Sequence, residues 1–357
     1  MYKEIGGNFW IDFYNIKNQN YDFVFEDIKH VEYEDIAYLS SGRGAIKYIL
    51  NNLDIQNKSV LLPLYTCHTV FEQFIDSGYN VYYYNINNDL SVDLGDFNDK
   101  ISNTKPSVIL FHSYYGFDTL HSIKHNIQEI KNDGIIIIED LTHSLFSDIS
   151  LIDADYYVGS FRKWDAIPDG GFAISKSKKF LDKPIYTDKI LICNKLNAFN
   201  AKYEYMENHI GNKVDFLEMY NEAEEIINNC NSFYKMSDEG KIILNYINKE
   251  SLINKRRNNF TFLIDKLKDK YDILFDELPN GVVPLYFPIY SEDRDNLQKY
   301  LIMNDIYAPI IWPISNNIKD LVIELSNKIY DRILAIPCDQ RYGVEEMGKI
   351  AEILLNF

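Results

Sequence analysis

Residues 134–140 read Gly-Ile-Ile-Ile-Ile-Glu-Asp, a buried-type apolar run that ends on an aspartate. A short run of this kind, bounded by turn signals, suits a strand with little exposure on either face. Similar runs recur at Ser59–Leu62, Val81–Tyr84, Ser107–Phe111 and Tyr156–Gly159, and Phe172–Ser175 follows Gly170-Gly171. The stretches between them, such as Thr69–Ser77 and Leu120–Asn132, have the length that a crossover helix needs. Strand–helix–strand alternation over residues 35–165 predicts an α/β fold, with a mainly parallel sheet and helices on both faces.

Beyond residue 195 the texture changes. Residues 200–235 and 240–270 read as helical, 283–290 and 306–312 as strands, and Val344–Leu355 as a terminal amphipathic helix. The expected division is a large domain over 1–240, including the N-terminal segment, and a smaller C-terminal α+β domain over 241–357. A chain of 357 residues accommodates both, and 46% hydrophobic residues supply a packed core.

Charge narrows the classes of partner. The net charge is −17, from 53 acidic against 36 basic residues, so the broad positive face needed for nucleic acid is not expected. The four cysteines, Cys67, Cys193, Cys230 and Cys338, are dispersed and point to neither zinc nor a disulfide framework. No apolar leader follows Met1, and no run of about 18 apolar residues exists, so a cytoplasmic protein without a membrane span is expected. The 28 tyrosines exceed what a core requires; a biased composition or an extensive interface would each account for them.

In open parallel sheets ligands bind beyond the carboxyl ends of the strands. His112, Asp140 and Ser160 all follow predicted strand ends. The loop Ser40-Ser41-Gly42-Arg43-Gly44 opens a helix over Ala45–Asn52, where backbone N–H groups, the Ser41 hydroxyl and Arg43 suit an anion; an ordinary N-cap has the same signature. Asp140 at the end of four isoleucines needs a partner, because burying a lone carboxylate is costly. His143 lies three residues on, and the spacing of His112, Asp140 and His143 gives no support to a metal site. Lys163 sits between a strand and the turn Pro168-Asp169-Gly170-Gly171, where Arg162 and desolvation would lower its pKa. The segment Tyr65-Thr66-Cys67-His68 follows a strand; its Tyr or His could stack on a planar ring, or the loop could simply pack against the sheet edge. A strand-end acid and a lysine just after the next strand can together hold pyridoxal phosphate. The amine forms an imine with the aldehyde, and the acid keeps the ring nitrogen protonated so that the ring draws electrons.

In order along the chain, Ser-Ser-Gly-Arg-Gly-Ala at 40–45, Leu-Leu-Pro at 61–63, His-Ser-Tyr-Tyr-Gly at 112–116, Glu-Asp-Leu-Thr-His at 139–143 and Ser-Phe-Arg-Lys at 160–163 resemble the DegT/DnrJ/EryC1/StrS family of sugar aminotransferases. The resemblance implies a fold-type I architecture with a seven-stranded sheet, pyridoxal 5'-phosphate as cofactor, and a homodimer. It implies that Lys163 carries the cofactor and shuttles the substrate proton, and that Asp140 binds the ring nitrogen. His143 stands where the family has a glutamine facing the ring hydroxyl. Ser41, Gly42, Arg43 and Ser160 would hold the phosphate and Thr142 would touch one ring face. Cys67 takes the place of the family's ring-stacking aromatic, leaving Tyr65 or His68 to substitute. Arg162, Tyr307 and Trp312 would border the substrate. The chain departs from the family in having two fewer residues between Ser160 and Lys163. The family's Gly-x-Asn-x-Arg-Met segment is absent, with only a poor echo in Ile210-Gly211-Asn212-Lys213.

The expected activity is transfer of an amino group from an amino acid, glutamate first among them, to a keto-sugar, nucleotide-linked, in surface-polysaccharide or related biosynthesis. A small phosphorylated ketone is an alternative acceptor. A decarboxylase or dehydratase on the same fold is the next reading, and a non-catalytic nucleotide-binding module the last. Gly42-Arg43-Gly44 lacks the third glycine that a dinucleotide fingerprint needs.

Overall fold

The structure, a computed structural model, describes residues 4–12, 25, 29–229, 232–316, 318–320 and 329–357; Cys230 lies outside them. The first half runs β1 (Ile5–Gly6), β2 (Asp35–Leu39), α1 (Gly42–Asn51), β3 (Ser59–Pro63), α2 (His68–Asp76), β4 (Asn80–Tyr84), α3 (Leu94–Thr104) and β5 (Val108–His112). Then come α4 (Ile127–Asn132), β6 (Ile136–Asp140), β7 (Tyr156–Ser160), β8 (Gly171–Ser175), α5 (Lys189–Tyr203), α6 (Lys213–Asn228), α7 (Asp238–Asn245) and α8 (Lys249–Leu267). The chain ends through β9 (Asp272–Ile273), β10 (Phe287–Tyr290), α9 (Arg294–Met303), β11 (Ile306–Tyr307), β12 (Ile333–Ile336) and a helix over Val344–Asn356.

The large sheet has seven strands in the order β2-β8-β7-β6-β5-β3-β4. It is mainly parallel, as the strand–helix alternation requires. All five residues of β3, of β5, of β7 and of β8 are buried, which explains why these strands read as continuous apolar runs rather than alternating ones. The Asp35–Leu39 strand is not evident from its sequence. It pairs antiparallel with β8, Asp35 opposite Ser175 and Leu39 opposite Gly171, and its residues are mixed in polarity and only partly buried.

The chain divides into two compact units. One comprises Met1–Gly7, Asp54–Asp155 and Lys249–Phe357; the other comprises Asn8–Leu53 and Tyr156–Asn248. In the first, β3, β4, β5 and β6 run parallel, with Ile109 opposite Ile137 and His112 opposite Asp140. The same unit holds a three-stranded antiparallel sheet, β12-β10-β9, and the parallel β1–β11 pair. In the second, β2, β8 and β7 pair antiparallel, and α5 packs along α6 through Ala198, Phe199, Phe216 and Tyr220 with Ala166.

Several expected elements are shorter than the sequence pattern suggests. Leu120–Asn132 gives a 3-10 turn at Lys124–Asn126 and a short α4. The helical stretch from 200 breaks through a π-turn, Glu204–Asn208, then His209 and Gly211, both at positive φ, before α6 begins. Residues 240–270 are two helices with a break between Tyr246 and Asn248. Only Phe287–Tyr290 of 283–290 and only Ile306–Tyr307 of 306–312 join a ladder. Pro284 and Pro309 have no N–H to donate at the positions where longer strands would need one.

Gly171 opens β8 where the backbone of α1's lead-in passes. A Cβ there would press on the carbonyl group of Ser41 and on the amide nitrogen of Gly42. Backbone cannot swing aside as a flexible side chain can. Gly171→Ala is therefore expected to lower stability by about 1–3 kcal/mol, read from the urea midpoint at unchanged slope.

Candidate active site

The second unit carries the glycine-containing helix start. Ser41 is extended and its hydroxyl oxygen accepts the N–H of Gly44 at 3.1 Å, so the N-cap expected there is formed. Gly42 packs against the end of β7: a Cβ at that position would stand 3.3 Å from the Cβ of Ser160. Ser160 donates its hydroxyl to Gly170 O at 3.4 Å, and Gly170 N–H donates to Ser40 O at 2.7 Å. The start of α1, the end of β7 and the turn before β8 are thus bound into one patch. The first amides of α1 with the Ser160 hydroxyl beside them have the makings of an anion cradle. The Arg43 guanidinium donates to Asn228 Oδ1 at 2.7 Å, so its contribution to such a cradle is through its backbone.

Ser160 leads into a 3-10 turn, Phe161–Lys163, closed by Trp164 N–H on Phe161 O at 3.0 Å. Phe161 and Trp164 are fully buried, whereas Lys163 between them is exposed. Arg162 is mostly buried and lies 3.5 Å from Glu224 Oε1, which also accepts from Lys195 Nζ at 2.6 Å. Lys195 and Glu224 lie on α5 and α6, far from the turn in the chain, and no local sequence pattern marks them. The Asp169 carboxylate accepts the N–H of Ser237 at 2.8 Å and the Ser237 hydroxyl. Burial pushes its pKa up to about 6 against those two bonds.

The first unit carries the acid and the aromatics. Asp140 ends β6; its Oδ1 accepts Thr142 N–H at 2.8 Å. Burial raises its pKa, and the hydrogen bonds from Thr142 oppose the rise. His143 is buried and stacks flat on Trp312, ring centroids 4.8 Å apart and planes 11° apart. His112, opposite Asp140 in the ladder, meets the Trp312 edge at 5.1 Å and Tyr114 at 4.2 Å. Burial holds the His112 pKa down at about 3, so the ring is neutral.

The three ring-stacking candidates have different settings. Tyr65 is buried, sharing a 3.0 Å hydrogen bond with the Tyr115 hydroxyl, stacking on Tyr114 at 5.5 Å and touching Trp312 edge-on at 4.9 Å. Cys67 stands at the N-cap of α2 with its sulfur 3.1 Å from Thr69 Oγ1, and His68, the first residue of α2, is exposed. Trp312 therefore joins Tyr65, His112 and His143 in one cluster, whereas Tyr307 belongs to the β1–β11 pair. Gly211-Asn212 serves locally: Asn212 caps α6 by accepting Asp215 N–H at 3.0 Å. Among the described residues, no three His, Cys, Asp or Glu side chains group as metal ligands, and no helix is long and apolar enough to cross a membrane.

Solved structures share this architecture. A DegT DnrJ EryC1 StrS aminotransferase from Brucella abortus is 18% identical, with a TM-score of 0.64, covering 91% of this chain and 86% of that one. PseC of Helicobacter pylori, an aminotransferase involved in the biosynthesis of pseudoaminic acid, is 15% identical, with a TM-score of 0.66, covering 93% and 87%. NtdA from Bacillus subtilis, solved with bound cofactor PMP, is 19% identical, with a TM-score of 0.64, covering 91% and 73%. No family model matches the sequence, and no curated protein does. What the chain has in common with these structures is the fold, the fold-type I aminotransferase architecture expected from its motifs.

Two outcomes follow from this geometry. A carboxyl with a raised pKa in the folded protein contributes stability below its unfolded pKa and loses it as pH rises through the folded value. For Asp169 that window runs from about 4, the unfolded value, to about 6. The stability margin of the wild type over Asp169→Asn should accordingly narrow between those pH values in urea titrations. Tyr65→Phe leaves the buried Tyr115 hydroxyl without its partner and should cost about 1–2 kcal/mol, read in the same way.

Proposed function

We propose that the protein is a pyridoxal-phosphate-dependent aminotransferase. It moves an amino group from an amino acid, with glutamate as the expected donor, to a nucleotide-linked keto-sugar in surface-polysaccharide or related biosynthesis. One observation carries the reading. A chain with the fold of sugar aminotransferases ends one strand in a partly buried carboxylate, Asp140, and follows another with an exposed amine, Lys163. Supporting it, PseC is by name an aminotransferase involved in the biosynthesis of pseudoaminic acid, and NtdA was solved with bound cofactor PMP.

The residues present fit the cofactor. Gly42 leaves room beside Ser160 that a side chain would occupy, where a phosphate can meet helix amides and a hydroxyl. Pyridoxal phosphate, when bound, supplies the aldehyde carbon that accepts the amino group and the ring that draws electrons from it. Asp140 would face the ring nitrogen as a carboxylate and hold its proton there, and the buried setting strengthens the pairing of two opposite charges. The Lys163 amine moves a proton at the substrate carbon. Thr142 steadies Asp140 through its backbone N–H, and His143 with Trp312 offers a flat, buried aromatic wall. Of the three ring-stacking candidates, His68 has the exposed side chain such a role needs, while Tyr65 is engaged within its own cluster. Tyr307 and Arg162 complete the substrate contacts.

In this reading residues 1–240 form the large cofactor domain and 241–357 the small domain. The enzyme works in the cytoplasm as a homodimer. Exposed apolar side chains on the second unit, Leu181, Ile185, Tyr186 and Ile190 among them, support an interface there.

The purified protein with added pyridoxal phosphate should show a visible imine band that borohydride traps and that Lys163→Ala lacks. Glutamate should bleach the band, and Lys163→Ala should lose turnover by at least about a thousandfold, the scale of losing a group that acts in proton transfer and covalent catalysis together. Carbon dioxide release from the amino acid would select decarboxylation instead. Turnover retained in the variant would remove Lys163 from the mechanism.

A further inference from the structure

The turn that carries Lys163 stands next to an unbalanced group of charges. Arg162, Lys163 and Lys195 bring three cations together in the second unit; Glu224 contacts Arg162 and Lys195 directly, and the Asp169 carboxyl, whose pKa burial raises, lies within electrostatic reach of Arg162. Glu224 Oε1 accepts from Lys195 Nζ at 2.6 Å and lies 3.5 Å from Arg162 Nη2. Arg162 Nε and Nη1 are buried without a hydrogen-bond partner among the described residues. Lys195 is 6% exposed, with its ammonium over the Tyr220 ring at 5.4 Å. In a chain of net charge −17, an excess of positive charge partly withdrawn from water is an exception that asks for a counter-anion. Guanidinium and ammonium groups pair most strongly with carboxylate or phosphate oxygens.

We propose that Arg162 and Lys195, held in place by Glu224, form a subsite for an anionic group, carboxylate or phosphate, of the substrate on which Lys163 acts. The subsite rests on the aminotransferase reading only in making Lys163 the reacting amine; the charge arrangement stands without it. Lys163 on the rim is exposed, and the Glu224 side chain is 42% exposed, so the cluster opens to solvent on that side. A ligand anion would displace the Glu224 carboxylate from one of its two partners and take donors that Arg162 has to spare. Burial and the neighbouring Arg162 lower the Lys195 pKa to about 8, against the pull of Glu224, and an arriving anion would raise it again.

The test is calorimetric titration of the protein saturated with pyridoxal phosphate and dialysed into low salt, so that the cofactor-phosphate cradle is filled, with glutarate and separately with inorganic phosphate. Wild type should bind at least one of them. Saturation by glutarate alone assigns the site to the carboxylate of the amino donor, and saturation by phosphate alone assigns it to a phosphorylated acceptor. Arg162→Gln and Lys195→Gln should each weaken binding about 10- to 100-fold, the range for a charge-assisted hydrogen bond. Glu224→Gln should bind as tightly or more tightly, because it removes a competing carboxylate, an outcome that a purely structural role for the cluster does not produce. Arg162→Lys, which keeps the charge, serves where the glutamine variants fold poorly by circular dichroism. No binding of either anion to wild type, or equal affinity in wild type and Arg162→Gln, overturns the proposal. A missing imine band with anion binding intact would instead overturn the aminotransferase reading and leave the subsite standing.

Discussion

The strand Ile136–Asp140 has almost no place for a polar side chain except at its end. Ile137, Ile138 and Glu139 are all buried, and the strand pairs with β5 along its length. Its two acids meet this constraint differently. Glu139, pointing to the opposite face from Asp140 as the pleat requires, is buried and its Oε2 accepts the Ile152 N–H at 3.1 Å. That carboxylate is spent on a loop amide. Asp140, one residue later and at the point where the chain leaves the sheet, accepts from Thr142 and keeps further acceptor capacity. A buried carboxylate that is not fully engaged is one that a cationic partner in the same low-dielectric setting would stabilise.

The same burial made the central strands readable. Val60 to Leu62, Val108 to Phe111 and Tyr156 to Val158 lack a polar face, so their apolar runs survive in sequence, and their ends agree with the structure to a residue or two. Where an element depends on partners rather than on its own pattern, the reading weakens. Asp35–Leu39 is a strand because β8 lies beside it. Residues 306–312 look apolar enough for a strand, but Pro309 and Pro313 leave little of the segment able to pair, and Trp312 turns instead onto His143. Of the candidate site, the Ser41 cap, Gly42 and the strand-end positions of Asp140 and Ser160 were legible, because caps, glycines and strand ends are local features. The Glu224–Lys195–Arg162 group was not: its members join only once α5 and α6 pack on each other, and no local pattern marks them.

The short spacing between Ser160 and Lys163 bears on how the lysine is aimed. Only two residues separate Ser160 from Lys163, and the chain turns at once into a 3-10 segment. That segment is anchored at both ends. Phe161 packs on Phe172 with ring centroids 5.3 Å apart, and Trp164, fully buried, closes the turn through Phe161 O. Ala166, two residues further, belongs to the core between α5 and α6. The Lys163 side chain is thereby carried on backbone held by packing and hydrogen bonds on both sides, with Gly170 N–H tying the following turn to Ser40. Lys163, next to Arg162 in the chain, lies within electrostatic reach of Lys195 and Glu224. The compact turn after β7 and the packing of α5 on α6 are thus what join Arg162 and Lys163 to Lys195 and Glu224.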